Sequence, residues 1–161
     1  MAQDIFLKIE GIAGESRDSK HTGEIDIESW SFGVSQTGNF HTGGGGGAGK
    51  ANFQDFHFVH RFDKSSPRLF LACASGEHIK SAVLVVRKAG KEQQEYMKFT
   101  FSELLISSVQ DGGAGGSAET PLQTVTIAFT KVEIEYRPQK ADGTLEAAIK
   151  NGWDVAKNVK A

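Results

Sequence analysis

The sequence predicts a mainly β fold, a barrel or strongly curved sandwich, with one short α-helix. Three observations carry this. Apolar and polar residues alternate along most of the chain. Two long alternating stretches change phase midway, the mark of strands that bend. The chain also holds 19 glycines and 11 phenylalanines but only 3 prolines, which suits aromatic-rich strands joined by glycine loops.

A first strand is expected over residues 5–9, where Ile5, Leu7 and Ile9 share one face. A polar loop follows over 11–23. Residues 24–35 read as one long strand. Ile25 and Ile27 lie on one parity and Trp30, Phe32 and Val34 on the other, so a β-bulge is placed near Glu28-Ser29. Trp30, Phe32 and Val34 are expected to face the core, leaving Ser29, Ser31 and Gly33 on the opposite face.

The stretch "HTGGGGGAGKANFQDFHF" (41–58) comes next. Gly44 to Lys50 falls one step short of a phosphate-binding loop, and Gly44, Gly46 and Gly49 satisfy G-x-G-x-x-G. Both motifs need a helix to begin behind the glycines, so that its N-terminal dipole can hold phosphate. Ala51 instead stands at the magnesium-ligating hydroxyl position, and Phe56 and Phe58 alternate with Asp55, His57 and Val59 as in a strand. The stretch reads as a glycine loop running into a strand.

A helix is signalled over 66–75. Ser66 suits its cap, Pro67 its first turn and Gly76 the position past its end, and Leu69, Phe70 and Cys73 form an apolar stripe. Residues 79–88 and 92–101 form a hairpin closed through Ala89-Gly90-Lys91. Val83 to Val86 are apolar on both parities, as in a strand buried on two sides. A short strand is expected over 104–109 and a second glycine-rich loop over 111–117. Another long strand covers 122–136, with Val125, Ile127 and Phe129 giving way to Val132, Ile134 and Tyr136, so a bulge is placed near Thr130-Lys131. A last strand is expected within 152–157.

Composition narrows the function. The 161 residues fit a single domain over 1–161, with no internal repeat. A net charge of −2 gives no electrostatic case for nucleic acid. No apolar run approaches the roughly 18 residues of a membrane-spanning helix, so no membrane insertion is expected. The opening "MAQDIFLK" lacks the basic and apolar regions of a signal peptide. The single cysteine, Cys73, reads as a core thiol, desolvated mid-helix. His57 and His60 are three apart in a strand and point to opposite faces, so they cannot share a metal without a bulge. Asp26 with Glu28, and Lys131 with Glu133 and Glu135, read as solvated faces. The residues therefore predict no enzyme, no catalytic residue, no cofactor and no metal.

The segments "MAQDIFLKIEGIAGES", "EIDIESWSFGVSQTG", "GGGGGAGKANFQDFHF", "CASGEHI", "LLISSV", "IEYRPQKADG" and "GWDVAKN" resemble, in order, those of the Hcp (haemolysin-coregulated protein) family of the bacterial type VI secretion system. The resemblance runs from residue 1 to about 158. It implies a β-barrel of two packed antiparallel sheets with one flanking helix. It further implies a homohexamer ring, stacked into a tube similar to that of phage tails. Such a tube assembles in the cytoplasm inside a contractile sheath, is capped by a VgrG spike, and is fired from the cell without a signal peptide, carrying effector proteins in its lumen. On that resemblance Ser31, with Ser29, is expected to face the lumen and its cargo. Gly43, Gly44, Gly45, Gly46, Gly47 and Gly49 are expected to form an arm between subunits. Two other classes remain open: a monomeric barrel that binds a small ligand, and an enzyme built around His57, Asp55 or Cys73.

Overall fold

The computed structural model describes residues 2–39, 47–89 and 93–161. The elements are β1 (Gln3–Ile9), β2 (Ile25–Asp26), β3 (Ser29–Ser31), β4 (Val34–Asn39), β5 (Gly47–Phe53), β6 (Phe56–Arg61), α1 (Ser65–Ser75), β7 (Ile79–Lys88), β8 (Glu95–Gly112), β9 (Leu122–Tyr136), β10 (Ile149–Asp154) and β11 (Val159–Lys160). All strand pairs are antiparallel. The mainly β class with one helix is as expected, but the barrel is not closed. One nine-stranded sheet runs β11-β10-β9-β8-β7-β1-β2, with β6 joined to β9 and β3 joined to β6, while β4 and β5 form a separate ribbon.

The first phase change falls where the alternation puts it, for a different reason. The chain is not one bulged strand. β2 pairs with β1 and β3 with β6, so the chain changes partner between them. At the crossing the Ile27 amide donates to the Ile5 carbonyl (3.0 Å) and the Glu28 amide to the Val59 carbonyl (2.9 Å). Ile25 and Ile27 are buried, and Trp30 and Phe32 pack against the core from its margin. Val34, expected inside, is 57% exposed because it lies on the ribbon, a two-stranded sheet apart from the nine-stranded one that encloses the core.

The second phase change is also correctly placed and differently built. β8 and β9 hold one register from Met97↔Tyr136 to Ile106↔Ile127, so β9 carries no extra residue near Thr130. Both strands instead turn over together. Phe99 and Phe101 face the core before the turn and Leu104 and Ile106 after it; opposite them Val132 gives way to Ile127 and Val125. Glu103 stands at the turn with φ 51°, and the Thr130 hydroxyl donates to the Ser102 carbonyl at 3.1 Å. The register shift lies on β8, between Ile106 and Ser108. β8 is one strand of 18 residues that absorbs the short strand expected over 104–109.

Rings fill the interior. Phe56 and Phe101 lie 4.7 Å apart between centroids, Phe101 and Phe129 4.9 Å, and Trp30 meets Phe99 edge-on at 5.1 Å. Helix α1 flanks this core through Leu69 and Ala72. Gly76 ends it in the left-handed region as expected, at φ 64° and ψ 34°. Its start differs: Ser66 is not the cap. Asp63 binds the first turn, accepting from the Ser65 amide (2.8 Å) and hydroxyl, while its own amide donates to Ser66 Oγ (3.0 Å).

The two-sided burial of β7 is as the sequence indicates, and its outer cover is the 11–23 loop. Leu84 and Val86 enter the core, while Val85 and Arg87 face outward beside Phe6 on β1. His21 stacks on Phe6 with centroids 4.4 Å apart, and the Arg87 guanidinium lies 4.8 Å from the same ring. Arg87 is 3% exposed and donates two bonds to Asp18 (2.6 and 2.8 Å) and one to Asp4 (3.2 Å). His21 is held between Glu24 (2.9 Å) and Glu95 (2.7 Å).

The hydrogen bonds from Arg87 hold the Asp18 carboxyl below the usual carboxylate range. A depressed folded pKa contributes stability above the unfolded value, and that stability is lost as pH falls through the folded one. Urea denaturation of the parent and of Asp18→Asn should therefore differ at neutral pH and converge as the solution is acidified below the usual carboxylate range. A gap that stays constant with pH would remove the clamp from the account.

Candidate interaction surfaces

The chemistry-bearing residues do not gather into a reactive site. His57 and His60 lie on opposite faces of β6, as their spacing requires. His60 continues the parity of Phe56 and Phe58 into the core, where its Nε2 meets Gln123 Oε1 at 2.6 Å, and Gln123 Nε2 donates to Asp111 at 2.7 Å. Among the described residues the buried His60 Nδ1 has no hydrogen-bond partner, and the Asp63 carboxylate lies 3.8 Å from it. Asp55 is exposed and accepts from the Ser107 hydroxyl at 2.7 Å. Cys73 is half-buried rather than enclosed, because α1 lies on the outside of the core. Loss of solvation pushes the Asp26 carboxyl up, and Asp63, Asp18, Asp4 and Glu28 add to the shift. Among the described residues no three potential ligands converge as a metal site.

The glycine stretch contributes backbone rather than chemistry. Gly43, Gly44, Gly45 and Gly46 lie outside the described residues. Gly47 and Gly49 lie on β5, paired with β4 from Val34↔Phe53 to Asn39↔Gly47. Lys50 and Ala51 continue that strand, so no helix begins where a phosphate loop would need one.

Two surfaces stand out instead. The first is built on Ser29 and Ser31, both exposed on β3 opposite Trp30. Pairing extends them across three more strands. One row reads Ser31, His57, Thr126, Ser108, and the next Ser29, Val59, Thr124, Gln110. Thr126 Oγ1 lies 2.7 Å from Ser107 Oγ and 2.6 Å from Ser108 Oγ. The result is a face four strands wide on which β3, β9 and β8 present the small hydroxyls of Ser29, Ser31, Thr124, Thr126 and Ser108, with His57 and Val59 of β6 between them. Asp55, just before β6, and Arg61, its last residue, stand at the two ends of this face.

The second surface is apolar. Past the turn at Thr130, β9 pairs with β10 instead of β6. Cross-strand partners share a face, so Val132 lies with Trp153, Ile134 with Asn151 and Tyr136 with Ile149. This is the core-facing side of the sheet carried beyond the core. Ile134 and Tyr136 are exposed, and Ile149 is 57% exposed. The ribbon stands across from them, and between ribbon and sheet lies a groove of about 360 Å³. Phe32, Val34 and Phe53 line one wall, Ile134 and Trp153 the other, with Gln36 and Asn151 as uncharged polar members. Gly152 keeps the floor low: a Cβ there would lie 2.9 Å from the Val132 carbonyl oxygen.

Comparison with known proteins decides the family. Residues 6–136 match the model of a family described as "Type VI secretion system effector, Hcp". The chain belongs to the Hcp family. It is 49% identical to the protein hcp1 of Pseudomonas aeruginosa, with both chains covered in full. The crystal structure of Hcp1 from Salmonella typhimurium superposes with a TM-score of 0.79 at 38% identity, covering all of both chains. A structure described as a type six secretion system protein superposes with a TM-score of 0.93 at 26% identity, over 99% of this chain and all of that one. Hcp membership makes this a type VI secretion protein, and the family's description as an effector places it among secreted components. Among the described residues no helix is long and apolar enough to cross a membrane.

Sequence reasoning placed the two serines on one face but missed the groove, since Val34, Ile134 and Tyr136 alternate just as core residues do. It also missed His21, Arg87 and Gln123 as buried polar groups. The shared parity of Phe56, Phe58 and His60 was the one available sign of a buried histidine.

Side chains of the apolar overhang should contribute little to the stability of a single copy. Ile134→Ser and Ile149→Ser are expected to shift urea-unfolding free energies by less than about 0.5 kcal/mol under conditions where the protein is monomeric. Losses of several kcal/mol would show that these residues belong to the core.

Proposed function

We propose that the chain is the tube subunit of a type VI secretion system. Six copies close into a ring, rings stack into a tube within the contractile sheath beneath a VgrG spike, and effector proteins travel in the lumen. The tube assembles in the cytoplasm and leaves by the machine itself, without a signal peptide, and the subunit acts as a structural part and carrier, not an enzyme. Family membership supports this reading.

The observation that carries it is the uncovered apolar face of β9 and β10. A monomer gains nothing from leaving Ile134, Tyr136 and Ile149 in water, whereas an assembling subunit buries them against its neighbour. A monomeric ligand-binding barrel fits less well, because phenylalanine rings fill the interior and the cavity at the groove opens to the surface.

The hydroxyl-rich face of β3, β6, β9 and β8 is the lumen wall in this reading. Ser31, flanked by Trp30 and Phe32 that pack toward the core, presents its hydroxyl to cargo, and Ser29 stands beside it. Small hydroxyls form hydrogen bonds without projecting into a channel. The glycine-rich connection between β4 and β5 is the arm that reaches a neighbour, where missing side chains permit close backbone approach.

Native mass measurement of the purified protein should give a six-fold species; a monomer at micromolar concentration would overturn the ring. Removing residues 43–47 should leave the folded circular-dichroism spectrum intact and weaken assembly, and equal assembly at equal concentration would reject the arm. Ser31→Gln or Ser31→Glu should preserve the ring and lower the amount of co-purifying lumenal effector, whereas unchanged retention would move cargo contact off this face.

A further inference from the structure

His21 has a carboxylate at each end of its imidazole. Nδ1 lies 3.0 and 2.9 Å from the two oxygens of Glu24, and Nε2 lies 2.7 Å from Glu95 Oε1. A neutral imidazole has one N–H donor and one bare lone pair, so one end would set lone pair against lone pair. Only the imidazolium donates at both. The side chain is buried, 6% exposed, so solvent does not take over an unmatched end. Its face stacks on Phe6 with the planes 10° apart, a contact that favours a cation.

Charges face this group from every element packed against it. Glu24 directly precedes β2, Glu95 opens β8, and Asp18 and the exposed Lys20 lie on the 11–23 loop with His21 itself. Arg87 of β7, near the same Phe6 ring, is the opposing cation, and its charge is met by Asp18 and by Asp4 of β1. Two fasteners of different kinds therefore hold the loop on the sheet. The Arg87 guanidinium is not deprotonated in a protein, so that clamp is permanent above the carboxylate range. Histidine is the side chain whose charge ordinarily changes near neutral pH.

We propose that His21 is a proton-operated latch on the 11–23 loop. While the imidazole is protonated and both glutamates are ionised, the latch joins the loop to the start of β8. When the imidazole loses its second proton, one of the two contacts turns repulsive. The loop then loosens at this end and uncovers Phe6, while the Arg87 clamp keeps its other part attached. Stability carried by the protonated form is present on the acid side and lost as pH rises through the titration of the imidazole. Protonation of Glu24 and Glu95 sets the acid limit. The latch belongs to the single chain and does not rest on assembly.

Hydrogen exchange of the segment 11–24 tests this. The amides of Gly14, Ser16 and Gly23 are bonded within the loop and its junction with β2 at 2.8, 3.0 and 2.9 Å, so their exchange reports its opening. Parent, Glu95→Gln and His21→Gln are compared at about pH 6 and about pH 9. Glu95→Gln keeps the shape but offers a neutral imidazole a donor amide at Nε2. It should exchange at least about threefold faster than the parent at the lower pH and no faster at the higher one. His21→Gln should exchange about tenfold faster at the lower pH, with the gap closing at the higher. Glu95 is partly exposed, so its arm stands even where His21→Gln fails to fold. A ratio of Glu95→Gln to parent that is the same at both pH values would mark a plain packing contact and overturn the latch.

Discussion

The corner at Glu103 and Thr130 is the constraint on which the rest of the structure depends. β8 and β9 pass through it in unbroken register, yet both exchange the face they turn to the core. Glu103 takes a positive φ that a bulky residue seldom adopts, and Thr130 braces the turn on both sides. Its hydroxyl binds the Ser102 carbonyl, and its own carbonyl accepts from the Val155 amide at 2.7 Å. Before the corner β9 belongs with β6 and shuts one side of the core. After it β9 belongs with β10 and extends past the core. A straight pair of strands would put Val125 and Val132 on opposite faces, and one of them would be exposed.

A second device lets so open a sheet hold together. The 11–23 loop lies over the outer face of β1 and β7 and is fastened by the Arg87 clamp with Asp4 and Asp18. The guanidinium is buried, its charge is met by two carboxylates, and its plane lies near Phe6, so its desolvation is offset on several sides. The loop's own backbone is equally tied: Gly14 lies so near the chain that a Cβ there would meet the Glu24 carbonyl oxygen at 2.5 Å. This packing explains why β7 is apolar on both faces while β9, beyond the corner, is apolar on a face left partly open to solvent.

Much of this was legible in the sequence, and the failures share one cause. Alternation gave both phase changes to within a residue or two and the limits of β9 correctly, because side-chain direction is a local property of a strand. It could not say whether a phase change means a bulge, a change of partner or a paired turn, since those differ only in what lies alongside. The same limit hid the groove: Ile134 and Val34 follow the core pattern, and only their position beyond the closed core leaves them at the surface. Ser29 and Ser31 were readable on β3, but the face they begin comes into being when register brings His57, Thr126 and Ser108 beside them. The clamp joins Arg87 to residues 69 and 83 positions away and left no local signal.

Fold and family lead to one physical picture. The chain folds with its core closed on one side and with two finished surfaces left over: a hydroxyl-rich face suited to a channel wall and an apolar overhang suited to a neighbour. The most direct test is an electron cryomicroscopy reconstruction of the purified assembly at side-chain resolution. Ser31, His57 and Thr126 are expected on the inner wall of a six-membered ring, with Ile134 and Ile149 buried between subunits. A ring with the serine face on its outer wall, or with Ile134 and Ile149 open to solvent, would contradict it.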